Sequence, residues 1–171
     1  MNRNFVIEIL NKVIDEDIVS FFSGEIINIG KEECSLSNPR GSVYGILVEI
    51  KDQISKQTIF NNIESSRRKI DKLNEWKKID DSDYYPLYWG KDINMGVRLH
   101  AHTKTMKSTG TLQLNTIKVL ENHKVIYGVV PCLNYEQNEK KLISKYPSLL
   151  KTIKGQNDSI SITELVPDEE N

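Results

Sequence analysis

Three stretches rich in β-branched and aromatic residues, GSVYGILVEI at 41–50, YYPLYWGK at 84–91 and HKVIYGVVPC at 123–132, are separated by segments with helical spacing. Such composition reads as three strands, and Pro86, which lacks an N–H, confines the second to a sheet edge or to the strand's start. Between residues 5 and 22, Phe5, Val6, Ile9, Leu10, Val13, Ile14, Ile18, Phe21 and Phe22 recur every three or four positions, which predicts an amphipathic helix. That helix is expected to break near Asp15-Glu16-Asp17 or to stop at Gly24. Ile59, Phe60, Ile63, Ile70, Leu73 and Trp76 predict one long helix or two shorter ones over 55–78, ended by the acidic turn DDSD at 80–83. Asp92 or Asn94 can cap a further helix, and a last one is expected from about Tyr135 to Tyr146, stopped by Pro147. The order helix, strand, helical insert, strand, helix, strand, helix is that of an α+β protein.

A chain of 171 residues is long enough to bury a core without disulfides or a structural metal. Hydrophobic residues make up 38% and charged residues 27%, which excludes collagenous and wholly disordered classes. The net charge of −1 conceals an asymmetry. Residues 1–36 carry seven acids and three bases, residues 37–157 twelve acids and twenty bases, and residues 158–171 five acids and no base. A basic body between acidic ends suits a polyanionic partner. No run reaches the roughly 18–20 apolar residues of a membrane helix, and Glu8 and Lys12 interrupt the N-terminal apolar residues, so a soluble cytoplasmic protein is expected. Cys34 and Cys132 have no second Cys or His at metal-ligand spacing and read as buried free thiols.

The polar residues that carry chemistry are Tyr44 in the first predicted strand, Tyr88 in the second, Arg98 and His102 four apart on one helix face, and Glu139 in the last helix. Taken singly each has a structural explanation, because a strand tyrosine usually packs and an i,i+4 Arg and His pair usually faces water. Jointly they suit phosphodiester hydrolysis. A carboxylate positions a divalent ion, Arg stabilises charge building on the phosphate, and Tyr or His handles the proton of water. One hard oxygen ligand suffices for Mg²⁺ or Mn²⁺, which keep waters and substrate oxygens as their remaining ligands.

These residues resemble the GIY-YIG endonuclease superfamily over roughly 41–157. Its two signature tripeptides have altered counterparts in Ser42-Val43-Tyr44 and Tyr88-Trp89-Gly90, with Lys91 as the basic residue that follows the second. Arg98 lies ten residues after Tyr88 and His102 one turn later, as in the family, and Glu139-Lys-Lys-Leu142-Ile143 is similar to the segment holding the family's metal ligand. Three departures stand out. Forty-three residues separate Tyr44 from Tyr88, as in restriction-enzyme branches that carry an insert; the first tripeptide lacks its glycine; and the family's late Asn has only Asn157 as a distant counterpart.

The resemblance implies a small, mostly antiparallel three-stranded sheet flanked by helices. It divides the chain into an N-terminal helical extension (1–36), a nuclease-like domain (37–157) with a helical insert near 53–83, and an acidic tail (158–171). It further implies that Tyr44, assisted by His102, orients the attacking water, that Tyr88, Arg98 and Lys91 act on the scissile phosphate, and that Glu139 holds one Mg²⁺ or Mn²⁺. The substrate is expected to be DNA, with RNA open, in a restriction, mobile-element or defence setting. Arg67, Arg68, Lys69, Lys72 and Asn157 are candidate nucleic-acid contacts. The rival expectation is a nucleic-acid-binding or regulatory domain in which catalysis has lapsed. A further expectation is a homodimer formed through the apolar stripe of the N-terminal helix.

Overall fold

A computed structural model describes residues 3–18, 20–29, 41–63, 69–93, 112 and 114–151. The described residues form helix α1 (Phe5–Val13), strands β1 (Phe22–Glu25) and β2 (Ser42–Glu49), helix α2 (Gln53–Asn62), strands β3 (Tyr84–Asp92) and β4 (Val125–Pro131), and helix α3 (Tyr135–Lys145). The strands make one sheet in the order β1-β4-β2-β3, antiparallel at every pairing. The molecule is therefore α+β as expected, with four strands in its sheet where three were anticipated.

The additional strand comes from the N-terminal segment, where the helical stripe stops earlier than its spacing suggests. Asn4 caps α1 by accepting from the Ile7 amide at 3.2 Å, and its Nδ2 donates to the Tyr127 carbonyl at 2.8 Å. After Val13 the backbone turns extended at Ile14. Phe22 to Glu25 then pair with Val129 to Ile126, so Gly24 lies within a strand instead of ending a helix. Val6, Ile7, Ile9 and Leu10 are buried against the sheet. These four side chains of the apolar stripe thus pack on the chain's own sheet.

Alternation along the strands divides the interior into two layers. Tyr44, Ile46, Val48, Leu87, Tyr88, Tyr127 and Val129 join one core, while Val43, Leu47, Trp89, Ile126 and Val130 join another under α1 and α3. Among the described residues of the predicted helical stretch 55–78, the helix is α2, capped by Asp52 on the Ser55 amide at 2.7 Å; Ile63 is extended and Leu73–Glu75 form a short 3-10 turn. Ile59, Ile63, Ile70 and Trp76 are nonetheless all buried in the first layer. Strand β3 is one of the sheet's two outer strands, which suits Pro86. Its carbonyl accepts from the Trp76 indole (2.8 Å) and the Leu149 amide (3.0 Å), and the Leu87 carbonyl accepts from Leu150 (2.9 Å), so this edge is partly covered. None of the described helices is long and apolar enough to cross a membrane.

Candidate active site on the central strands

Tyr44 and Tyr88 lie on adjacent antiparallel strands, where Tyr44 is opposite Gly90 and Tyr88 opposite Ile46. A β-bulge at Ile46/Leu47 leaves Leu87 as an extra residue, so Leu87 and Tyr88 both join the first layer. The two tyrosine rings then face the same side, with centroids 6.1 Å apart and planes tilted by 41°.

Glycine makes this approach possible. A Cβ at Gly90 would overlap the phenol of Tyr44, and one at Gly45 would overlap the Trp89 indole and meet Val6 Cγ1 at 3.1 Å. In the consecutive cross-strand pairs Tyr44–Gly90 and Gly45–Trp89, each aromatic ring covers the partner strand's glycine, on opposite faces of the sheet. The glycine of the second tripeptide is therefore the seat of the tyrosine of the first. Nothing in the sequence around Gly45 marks it for a role, because its requirement arises from Trp89, which is distant in the chain.

Lys91 follows the same alternation onto the other face. It is 6% exposed, opposite Val43, and its Nζ lies 3.5 Å from Oε1 of Glu136 on α3. The structure thus sets Lys91 across the sheet from the tyrosine pair, tying β3 to α3. Glu139 is on α3 one turn beyond Glu136 and only 4% exposed, beside buried Asn138 and Leu142. Leu142 and Tyr146 pack in the layer with Trp89, whose indole donates to the Tyr146 carbonyl at 2.7 Å. The helix bearing Glu139 is consequently anchored on the Trp89 face, bordering outer strand β3.

The N-terminus of α3 is held from a distance. The Glu16 carboxylate accepts from the amides of Leu133 (2.8 Å) and Asn134 (3.1 Å) and lies 3.5 Å from Nδ2 of Asn138, so a residue far away in the chain supplies the cap that Asn134 does not. Next to this cap, Cys132 is a buried free thiol, and burial pushes its pKa up to about 11 against a partial offset from a hydrogen bond with Asn138. Such a thiol stays protonated and unreactive at neutral pH.

Of the expected nucleic-acid contacts, Lys69 turns inward. Its Nζ donates to the Phe60 carbonyl at 2.7 Å and sits 4.2 Å from the Phe60 ring centroid, while its backbone bridges to Leu150. It serves the packing of α2, unlike Lys72, which is exposed. Arg67, Arg68, Arg98, His102 and Asn157 lie outside the described residues.

No family model, no curated protein and no solved structure matches this chain. Among the described residues no group of three or more His, Cys, Asp or Glu side chains is arranged to hold a metal ion. The Glu139 carboxylate is a hard oxygen donor of the kind Mg²⁺ takes when waters and substrate oxygens complete its shell.

Proposed function

We propose that the chain is a metal-dependent endonuclease that hydrolyses phosphodiester bonds of DNA at a GIY-YIG-like site built on β2 and β3. The observation that carries this reading is the tyrosine pair: two phenols from neighbouring strands on one face, 6.1 Å apart, with the glycine of the second tripeptide seating the first tyrosine. This agrees with the pattern that the resemblance implies for Ser42-Val43-Tyr44 and Tyr88-Trp89-Gly90. In this reading Tyr44 and His102 orient water, Tyr88 and Arg98 contact the scissile phosphate, and Glu139, whose helix packs on the Trp89 face, would have to reach that phosphate around the edge of β3 to hold one Mg²⁺ or Mn²⁺. When bound, the metal supplies Lewis-acid stabilisation of charge on the phosphate oxygens. A restriction, mobile-element or defence role fits an enzyme of this kind.

The test is incubation of the purified protein with plasmid DNA, with and without Mg²⁺ or Mn²⁺, beside the Glu139→Gln and Arg98→Ala variants. Metal-dependent nicking or linearisation that both variants lose while remaining folded is the expected result. Cleavage by Glu139→Gln equal to that of the parent would refute the assignment.

A second reading has its own observation. Tyr44 has no exposed surface and Tyr88 only 3%, the burial of core residues. That favours a nucleic-acid-binding or regulatory domain in which the tyrosines are structural. Salt-dependent binding without turnover at any divalent ion is its signature.

A further inference from the structure

The C-terminal halves of α1 and α3 meet on the outer side of the helical layer. The concavity between them, about 540 Å³, is lined by Lys12, Val13, Lys140, Lys141, Ser144 and Lys145. An adjoining hollow of about 430 Å³ shares Lys145 and is otherwise lined by Ile70, Asn74, Glu75, Lys77 and Pro147. Four lysines from two helices thus line one open slot, in which Val13 is the one apolar residue.

The fold accounts for two of them. Lys12 is bonded to Asp80 at 3.1 Å, a hydrogen bond that holds its pKa above the ordinary value and keeps it charged. Lys145 lies 5.4 Å from the Tyr146 ring centroid and, in the last turn of α3, is favoured by the helix dipole. Lys140 and Lys141 are exposed and, among the described residues, form no salt bridge. Lys141 and Lys145 are also four apart on one helix, a like-charge spacing that disfavours the helix unless an anion lies between them.

The lining selects among polyanions. A bilayer interface needs exposed apolar anchors, and the exposed large apolar residues Ile27, Ile54, Ile93 and Leu133 all lie outside this lining. An acidic peptide needs apolar anchors that Val13 alone does not offer. A row of phosphates needs only neighbouring cationic side chains, and Lys12, Lys140, Lys141 and Lys145 line this slot together.

We propose that the lysine-lined slot between α1 and α3 binds the phosphate backbone of a nucleic acid. It deepens the nuclease reading, on which it rests for the class of partner. The slot lies on the outer side of the helices that cover the Trp89 face, so binding there is measured without cleavage.

The test is fluorescence anisotropy of a short labelled DNA duplex with the full chain in chelator-containing buffer, repeated over a salt series. The Lys140→Ala/Lys141→Ala double variant is compared with Lys51→Ala/Lys118→Ala, which removes the same charge from exposed sites elsewhere. The slot variant is expected to bind about 10-fold more weakly or worse at low salt, with the slope of log K against log salt reduced by about two, while the control changes little. Equal losses in the two variants would overturn the proposal, as would parent protein that binds phosphatidylserine vesicles but not the duplex. A chain that binds in this way and never cuts DNA would leave the slot standing and remove the endonuclease reading.

Discussion

A methyl group added at Gly90 drives a Cβ into the phenol of Tyr44, which is buried between β3 and the first core layer. Neither ring nor backbone can yield cheaply there, so Gly90→Ala is expected to destabilise by about 1–3 kcal/mol in urea denaturation. Tyr44→Phe keeps the ring on its seat, and its stability is expected to stay within about 1.5 kcal/mol of the parent. If the phenol acts on water, cleavage by that variant falls by about 10²-fold or more while the fold persists. Cys132 offers a pH test at the same scale. Its thiol has an ordinary pKa of 9.0 and a folded value of about 11, so folding favours the protonated form. The associated stability is fully present below pH 9 and is lost as pH rises towards 11. Peptide mapping after iodoacetamide treatment at neutral pH should leave Cys132 unlabelled until the protein is denatured.

At the scale of elements, α3 depends on α1's flank for its beginning. Glu16→Ala removes the carboxylate that caps Leu133 and Asn134, a loss expected to cost about 0.5–2 kcal/mol and to speed hydrogen exchange at those two amides. The sequence could not disclose this cap, because Asp15-Glu16-Asp17 reads locally as a helix break and its partners lie more than a hundred residues on. Strands β2, β3 and β4 were legible to within two residues because β-branched and aromatic runs have few other uses, and Pro86 rightly signalled an outer strand. Strand β1 was missed, since four half-buried residues continue the apolar spacing of α1 and Gly24 imitates a helix stop. The segment after α2 shows the reverse case. Ile63, Ile70 and Trp76 keep a helical rhythm and are buried, yet they reach the core from extended and 3-10 backbone, which hydrophobic burial alone does not forbid. Within the site, the tyrosine pair followed from its motif, whereas the face taken by Lys91 followed from strand alternation that the motif does not express.

For the whole molecule, charge is the property most open to experiment. Removing residues 158–171 strips five acids and no base, and is expected to raise affinity for a DNA duplex at low salt, with the gain fading as salt screens it. The sheet order carries a consequence for how the chain acquires its shape. Strand β4 sits between β1 and β2, so Phe22 waits for Val129 and Tyr44 for both Gly90 and Val129. During synthesis neither N-terminal strand can find its full set of neighbours until β4 has left the ribosome. Assembly is then a late event dominated by distant contacts, with refolding expected on the millisecond-to-second scale. Until then the part of α1's apolar side that packs on β4 stands uncovered, and a nascent chain stalled before residue 125 should be the form that a chaperone retains.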